Sequence, residues 1–325
     1  MSRVVYSRHY NLGFFGLERL HPFDSQKYGR AWRVLRRRLG TSLSAIHVRP
    51  RGPVSRDDLL TVHTPAYLDR LRLSPYVARA IEVPPVRKLP AWMVDWRVLK
   101  PMRWATQGTV AAAREALQHG LVVNLGGGFH HAKPDVGEGF CLYADAALAV
   151  ESVRRQELIA SGSRVVYIDL DAHQGNGFCH CVRDDPSVFI FDMFNGDIYP
   201  CTDTVARERI DCPVPLPLGC VEREYLGELH DRLPGFLDSV ANSAPIALAI
   251  YNAGTDVYAG DPLGGLNVSA AGILKRDLFV VEQLRSRGIA TVMVLSGGYT
   301  RESYQLVADS VAQLITAEEQ RQAAR

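Results

Sequence analysis

The segment Val165-Val-Tyr-Ile-Asp-Leu-Asp-Ala-His-Gln-Gly-Asn176 constrains this chain more than any other. Its run of β-branched and aromatic residues predicts a strand covered on both faces, and it leads directly into Asp169, Asp171 and His173 at alternate positions, so the three side chains are expected on one side. Carboxylates buried at the end of a parallel strand are costly unless a cation or strong donors compensate them. A bound metal ion is the simplest balance for that charge. The alternative is a salt-bridged strand end beside a solvated histidine.

Short apolar, β-rich runs recur at residues 4–6, 121–125, 165–170, 188–193, 247–251 and 290–295, and helical periodicity occupies 28–39, 106–118, 144–157, 222–240 and 270–287. This alternation predicts an α/β fold with an open, mostly parallel sheet carrying helices on both faces. No break in composition divides the 325 residues, so one domain spanning 1–325 is expected. An apolar fraction of 47% and a formal charge of +2 are those of an ordinary globular protein and point to no nucleic-acid partner. No apolar run is long enough for a leader or a membrane span, which makes a cytoplasmic location the expectation. In that compartment the six cysteines are expected as free thiols, and Cys179-His180-Cys181 lacks the second ligand pair of a structural metal site. The arginines among residues 33–38 are read as the solvated face of a helix rather than a phosphate-binding patch. The proline-rich stretch 83–90 is expected as a surface loop that walls a cleft, and Pro213, Pro215 and Pro217 as an extended segment without chemistry.

Polar residues collect where four of the predicted strands end. Gly126-Gly-Gly-Phe-His-His131 follows 121–125; Asp171 and His173 follow 165–170; Asn252-Ala-Gly-Thr-Asp256 follows 247–251; Ser296-Gly-Gly-Tyr299 follows 290–295. Each has an ordinary reading: a structural histidine pair, a turn aspartate at 256, a core tyrosine at 299. The glycine run lacks the Lys-Ser/Thr of a phosphate loop. Loops at the carboxyl edge of a parallel sheet converge, however, and four coincidences there point to one shared site. Asp171, His173 and Asp256 supply two carboxylates and an imidazole, the three protein ligands expected of a catalytic zinc with a fourth position open. A binuclear centre would need further carboxylates where the glycine run offers histidines, so one metal is expected.

These motifs, together with Asp169-Leu-Asp-Ala-His-Gln-Gly-Asn-Gly177, resemble those of the histone deacetylase superfamily, whose fold is related to arginase. More narrowly, Tyr6-Ser-x-x-Tyr-Asn, Gly16-Leu-Glu-x-Leu-His-Pro-Phe-Asp24, Phe140-Cys-x-Tyr-Ala-Asp145 and Gly260-Asp-x-Leu-Gly-Gly265 resemble class IV members. The resemblance implies a three-layer arginase/deacetylase-like fold and a zinc-dependent hydrolase cleaving acyl-lysine amides in a protein or peptide, with one Zn²⁺ held by Asp171, His173 and Asp256. It further implies that His131 is the general base and later acid, that His130 is its electrostatic partner, and that Tyr299 donates to the substrate carbonyl. Asp169 would orient His130 and, with backbone carbonyls near His173 and Asp192, hold a structural K⁺. Asn176 stands where class I members have an aspartate; a neutral partner supports an imidazolium less and should favour the base form of His131. For the substrate, Phe140 and Tyr199 are expected as aromatic channel walls, Leu263 at the rim, and the Gly139 carbonyl as acceptor of the amide N–H. Class IV resemblance also implies a preference for long fatty acyl groups.

Three other readings compete. Hydrolysis of a small acylated amine such as an acetylpolyamine would use the same apparatus behind an acidic mouth, for which Glu82 is the candidate. A non-catalytic acyl- or protein-binding module would not need the complete polar set. An arginase-like manganese hydrolase would need more carboxylates.

Overall fold

The computed structural model describes residues 2–13 and 23–323, so the part of the Gly16–Asp24 motif at residues 16–22 lies outside the described residues. Eight strands form one sheet: β1 (Arg3–Val5), β2 (His47–Val48), β3 (Leu121–Asn124), β4 (Arg164–Asp169), β5 (Val188–Asn195), β6 (Cys212–Leu216), β7 (Ile246–Asn252) and β8 (Ala290–Val294). Their order is β2-β1-β3-β8-β7-β4-β5-β6, and every pairing is parallel. The expected α/β architecture is therefore observed, with a wholly rather than mostly parallel sheet.

Parallel crossovers are right-handed, so connections running opposite ways along the sheet place their helices on opposite faces. Helix Lys100–His119 (β2 to β3) and helix Asp145–Arg155 (β3 to β4) run one way and pack together. Helices Lys27–Ile46, Glu222–Ala241 and Ala270–Ser286 belong to connections running the other way. The last of these packs on Ser303–Ala323, which also covers Lys27–Ile46. With both faces covered, β4 is buried from Val165 to Asp169, as its apolar run requires.

Three local outcomes differ from the sequence reading or add to it. The extended segment with Pro213 and Pro215 is in addition a strand of the sheet, β6, at its edge, where an outward-facing position needs no N–H; the exposed prolines alternate with the buried Val214 and Leu216. The stretch 83–90 is not a plain loop: Pro84–Lys88 form a 3₁₀ turn that buries Val83 and Val86 in the core. Finally, β4 ends at Asp169, so Asp171 and His173 stand in the turn beyond it and not on the strand.

The positions of the strands matter most for function. β3, β8, β7 and β4 are consecutive in the sheet, and these are the strands whose carboxyl ends carry the four polar motifs. Register brings them level: Asp169 pairs with Asn252, and Asn252 with Val294.

Candidate active site

The turn after β4 is built from its own carboxylates. Asp169 Oδ1 accepts the Asp171 N–H at 3.1 Å and Asp171 Oδ1 accepts the His173 N–H at 3.0 Å, so each acid fixes the residue two further on. From β7, Asp256 Oδ1 accepts the Ala172 N–H at 2.9 Å, tying the second loop to the first. Ligand atoms of Asp171, His173 and Asp256 consequently lie within 4.8 Å of one another, all buried. His173 Nδ1 lies 3.1 Å from Asp171 Oδ1 and 2.9 Å from Asp256 Oδ2. Among the described residues this is the one such group, and Cys179 and Cys181 belong to none.

The electrostatics of the trio call for a cation. Burial and the nearby Asp171 charge push the Asp256 carboxyl up to about 7. His173 is drawn the other way: burial opposes its charge, but the two carboxylates overcome that and lift it to about 10. Burial opposes the charge of Asp171 too, but His130 and His173 hold its carboxyl well below the usual range, so the protons of the trio sit on Asp256 and His173, and a divalent ion would take their place. The donor set of two carboxylates and one imidazole fits a zinc-type centre with an open position.

The histidine pair is held on the other side. His130 donates from Nδ1 to Asp169 Oδ2 at 2.9 Å, and Asn252 Nδ2 donates to Asp169 Oδ1 at 2.9 Å, so that the acid is gripped at both oxygens. The neighbouring His131 directs Nδ1 at Asn176 Oδ1, 2.8 Å away. The orientation of the Asn176 amide follows from its other contacts: its Nδ2 donates to Glu138 Oε1 at 2.9 Å and Asp203 Oδ2 at 3.2 Å, and Lys133 bridges the same two carboxylates. An amide whose NH₂ is held by two acids presents its oxygen to His131, which must then carry its proton on Nδ1 and leave Nε2 bare. The pair is also split in charge. Burial disfavours the charged form of both rings, but Asp169 and Asp171 lift His130 to about 9. Burial, with the charges of His130 and His173, holds His131 well below the usual histidine range. Two adjacent groups driven apart in this way can serve as a fixed cation and a base.

The β8 loop closes the site. Asp171 Oδ2 accepts from the Ser296 hydroxyl at 2.5 Å and the Gly297 N–H at 2.7 Å. A Cβ at Gly297 would overlap the carboxylates of both Asp171 and Asp256, so no larger residue fits there. The buried Lys27 ammonium donates to the carbonyls of Ser296 and Gly297 from beneath. Asp261 Oδ2 accepts the Tyr299 N–H at 2.7 Å while its Oδ1 accepts those of Leu263 and Gly264. The Tyr299 ring stands edge-on to His173 at 5.9 Å, and burial, then Asp171 and Asp256, keep its hydroxyl protonated well above the ordinary phenol range.

A narrow cavity of about 20 Å³ runs in beside the pair, lined on its apolar side by Phe23, Tyr28, Phe129 and Phe140. Gly139, at φ +54°, places its backbone against the His131 ring, where a Cβ would collide. Phe140 stacks at a tilt on Phe23, 4.8 Å between centroids. Tyr199 is 44% exposed and stands edge-on to His131 at 5.0 Å, so it is at the mouth and not among the inner walls; Leu263, 40% exposed, is a surface residue. No residue of 83–90 lines the cavity, nor does Glu82, the acid expected at a mouth for cationic amines. Near the expected K⁺ position, Asp192 Oδ2 accepts the Gly175 N–H at 3.0 Å, while its buried Oδ1 has no protein partner among the described residues. No helix among the described residues is long and apolar enough to cross a membrane.

Several positioning residues escape the sequence reading. Asn252, Asp261 and Asp145 lie inside motifs quoted for the resemblance without a role; Asp145 accepts the Gly128 and Phe129 N–H groups at 2.9 and 2.8 Å and shapes the glycine loop. Lys27, Glu138, Asp203 and Arg276 lie outside the motif residues to which the sequence assigns chemistry.

Comparison with known proteins follows the same lines. The histone deacetylase domain profile matches residues 21–315. The chain is 42% identical over 311 residues to histone deacetylase 2 of Arabidopsis thaliana, which covers 96% of this chain and 78% of that one. It is 33% identical over 249 residues to an uncharacterised protein of a Picosynechococcus species, covering 76% of each. Among solved structures, the HD domain of HDA15 superposes with a TM-score of 0.74 at 20% identity, covering 98% of this chain and 90% of that one. An HDAC homolog from Aquifex aeolicus superposes with a TM-score of 0.70 at 21% identity, covering 97% and 82%.

Proposed function

The chain belongs to the histone deacetylase family, and from that premise we propose that it hydrolyses the amide of N-ε-acyl-lysine in a peptide or protein, as a class IV-type, zinc-dependent member. The observation that carries the proposal is the meeting of Asp171, His173 and Asp256 within 4.8 Å, beside a histidine pair split in charge. In this reading the trio would hold one Zn²⁺, and Asp169 with backbone carbonyls near His173 and Asp192 would hold a structural K⁺, a reading supported by the buried Asp192 Oδ1 that lacks a protein partner among the described residues. Bound at the trio, zinc lowers the pKa of a water and polarises the acyl carbonyl.

The protein's own groups do the rest. His131, neutral and with Nε2 bare, takes a proton from the attacking water and returns it to the lysine amine as it leaves. His130, cationic through Asp169, stabilises the negative charge that builds during attack. The Tyr299 hydroxyl donates to the carbonyl oxygen as that charge accumulates, a contribution commonly worth about 3 kcal/mol. The Gly139 carbonyl accepts the scissile N–H, Phe140 flanks the lysine methylenes, and Tyr199 and Leu263 meet the peptide outside.

The proposal extends to long fatty acyl groups, because the inner wall is aromatic and each methylene buried there contributes about 0.8 kcal/mol. A cavity of about 20 Å³ has room for roughly one water-sized group, so a long chain also requires the glycine loop to give way. An acyl series from acetyl to myristoyl on one lysine peptide, with and without chelator, tests both levels. Chelator-sensitive hydrolysis that improves with chain length is expected. Equal or better hydrolysis of acetyl overturns the chain-length reading alone, and no hydrolysis of any member overturns the activity.

A further inference from the structure

A second, larger cavity of about 740 Å³ opens at the carboxyl ends of β1 and β2, on the edge of the sheet away from the histidine pair. It shares no lining residue with the cavity beside the histidines. Its size falls within the range of small-molecule sites, ~300–1,000 Å³.

Its lining is one-sided in charge. Arg8 follows β1, Arg49 follows β2, and Arg36 projects from helix Lys27–Ile46; no aspartate or glutamate is among the lining residues. Arg36 comes from the arginine run that the sequence assigned to a solvated helix face. The imbalance is felt by the two histidines in the wall: burial depresses both, and Arg8 and Lys100 add to the effect at His9, Arg49 at His47. All three arginines are exposed around the opening, and an anionic occupant would be drawn to them where a neutral or cationic one would not.

The remaining wall is aromatic. Trp104 stacks on His9 with centroids 4.5 Å apart, and Trp32 stacks on Tyr6 at 4.8 Å. The Trp104 indole Nε1 is buried and has no acceptor among the described residues. Three guanidinium forks exceed what one carboxylate satisfies, whereas a phosphoryl group offers two charges and three acceptor oxygens.

We propose that this cavity binds a phosphorylated small molecule, its phosphoryl group held by Arg8, Arg36 and Arg49 and its body lying along Trp32 and Trp104. This site is separate from the hydrolytic centre and does not depend on the function assigned there.

Calorimetric titration of the full, metal-loaded chain at about 0.15 M salt with AMP, ribose 5-phosphate and adenosine tests it. Saturable binding of both phosphorylated compounds at one site is expected, with adenosine at least about tenfold weaker, the scale of one to two charge-assisted hydrogen bonds. Tighter binding of AMP than of ribose 5-phosphate would identify a base on the aromatic wall, and equal binding a sugar phosphate. The double variant Arg8→Ser, Arg49→Ser should bind AMP at least about tenfold more weakly, with its circular-dichroism spectrum and Tm retained as evidence of folding. Arg37→Ser, on the same helix but outside the cavity, should bind as the parent does. Absence of saturable phosphate binding, adenosine binding as tight as AMP, or an equal loss in Arg37→Ser each overturns the proposal.

Discussion

At the scale of the residue, the site depends on how neighbours set protons. Tyr299 stays protonated beside two carboxylates because it is buried, which makes it a donor and never a base. Tyr299→Phe should therefore lower kcat by roughly 100- to 1,000-fold while zinc content stays at the parental level, as rapid kinetics with metal analysis would measure. His131 works in the opposite sense. Burial first, and then its charged neighbours, depress it, so it stays a base far into acid, with Asn176 as a neutral support. Replacing Asn176 by Asp adds a negative charge that stabilises the imidazolium and raises the pKa of His131. A base that must be unprotonated then needs a higher pH, and the acidic limb of the kcat/KM profile should move upward; an unmoved limb removes His131 from the role of base. The same variant places a carboxylate against Glu138 and Asp203, so the shift should come with some loss of stability.

At the scale of the element, the loops are fixed from behind by one helix. Arg276 of helix Ala270–Ser286 is wholly buried; it pairs with Asp277 at 2.8 Å and donates to the carbonyls of Leu170 at 3.1 Å and Gly254 at 2.7 Å, one beside each metal-bearing loop. Arg276→Met leaves Asp277 and two carbonyls short of a partner, and should cost about 3–5 kcal/mol in denaturant unfolding of the metal-loaded protein. A loss below about 1 kcal/mol would show that the guanidinium does not brace the loops. This example also marks what a sequence can disclose. Asp169, Asp171 and His173 were legible because they are close together and follow an unmistakable strand. The positions of His130, Asp256 and Tyr299 were legible because each follows a strand run in the same way. Arg276, Lys27, Glu138 and Asp203 act through backbone or side chains far away in the chain, and nothing local distinguishes them from surface charges. The prolines of β6 were legible as an extended segment but not as part of the sheet, for a related reason: only the sheet order reveals that their strand lies at an edge.

At the scale of the whole molecule, strand order turns four separate loops into one site. β3, β8, β7 and β4 are neighbours although they lie far apart in the chain, so the site exists only when the sheet is complete. Its carboxylates are held so close in a dry interior that, without a cation, Asp256 is driven up to about 7. The central claim is that Asp171, His173 and Asp256 jointly hold one zinc ion. Metal content per chain, measured by elemental analysis after zinc loading and desalting, tests it most directly in the parent and in Asp256→Ala. The account predicts about one zinc per chain in the parent and nearly none in the variant, both still folded. Two manganese ions per chain in a metal competition, or zinc retained by Asp256→Ala, would contradict it.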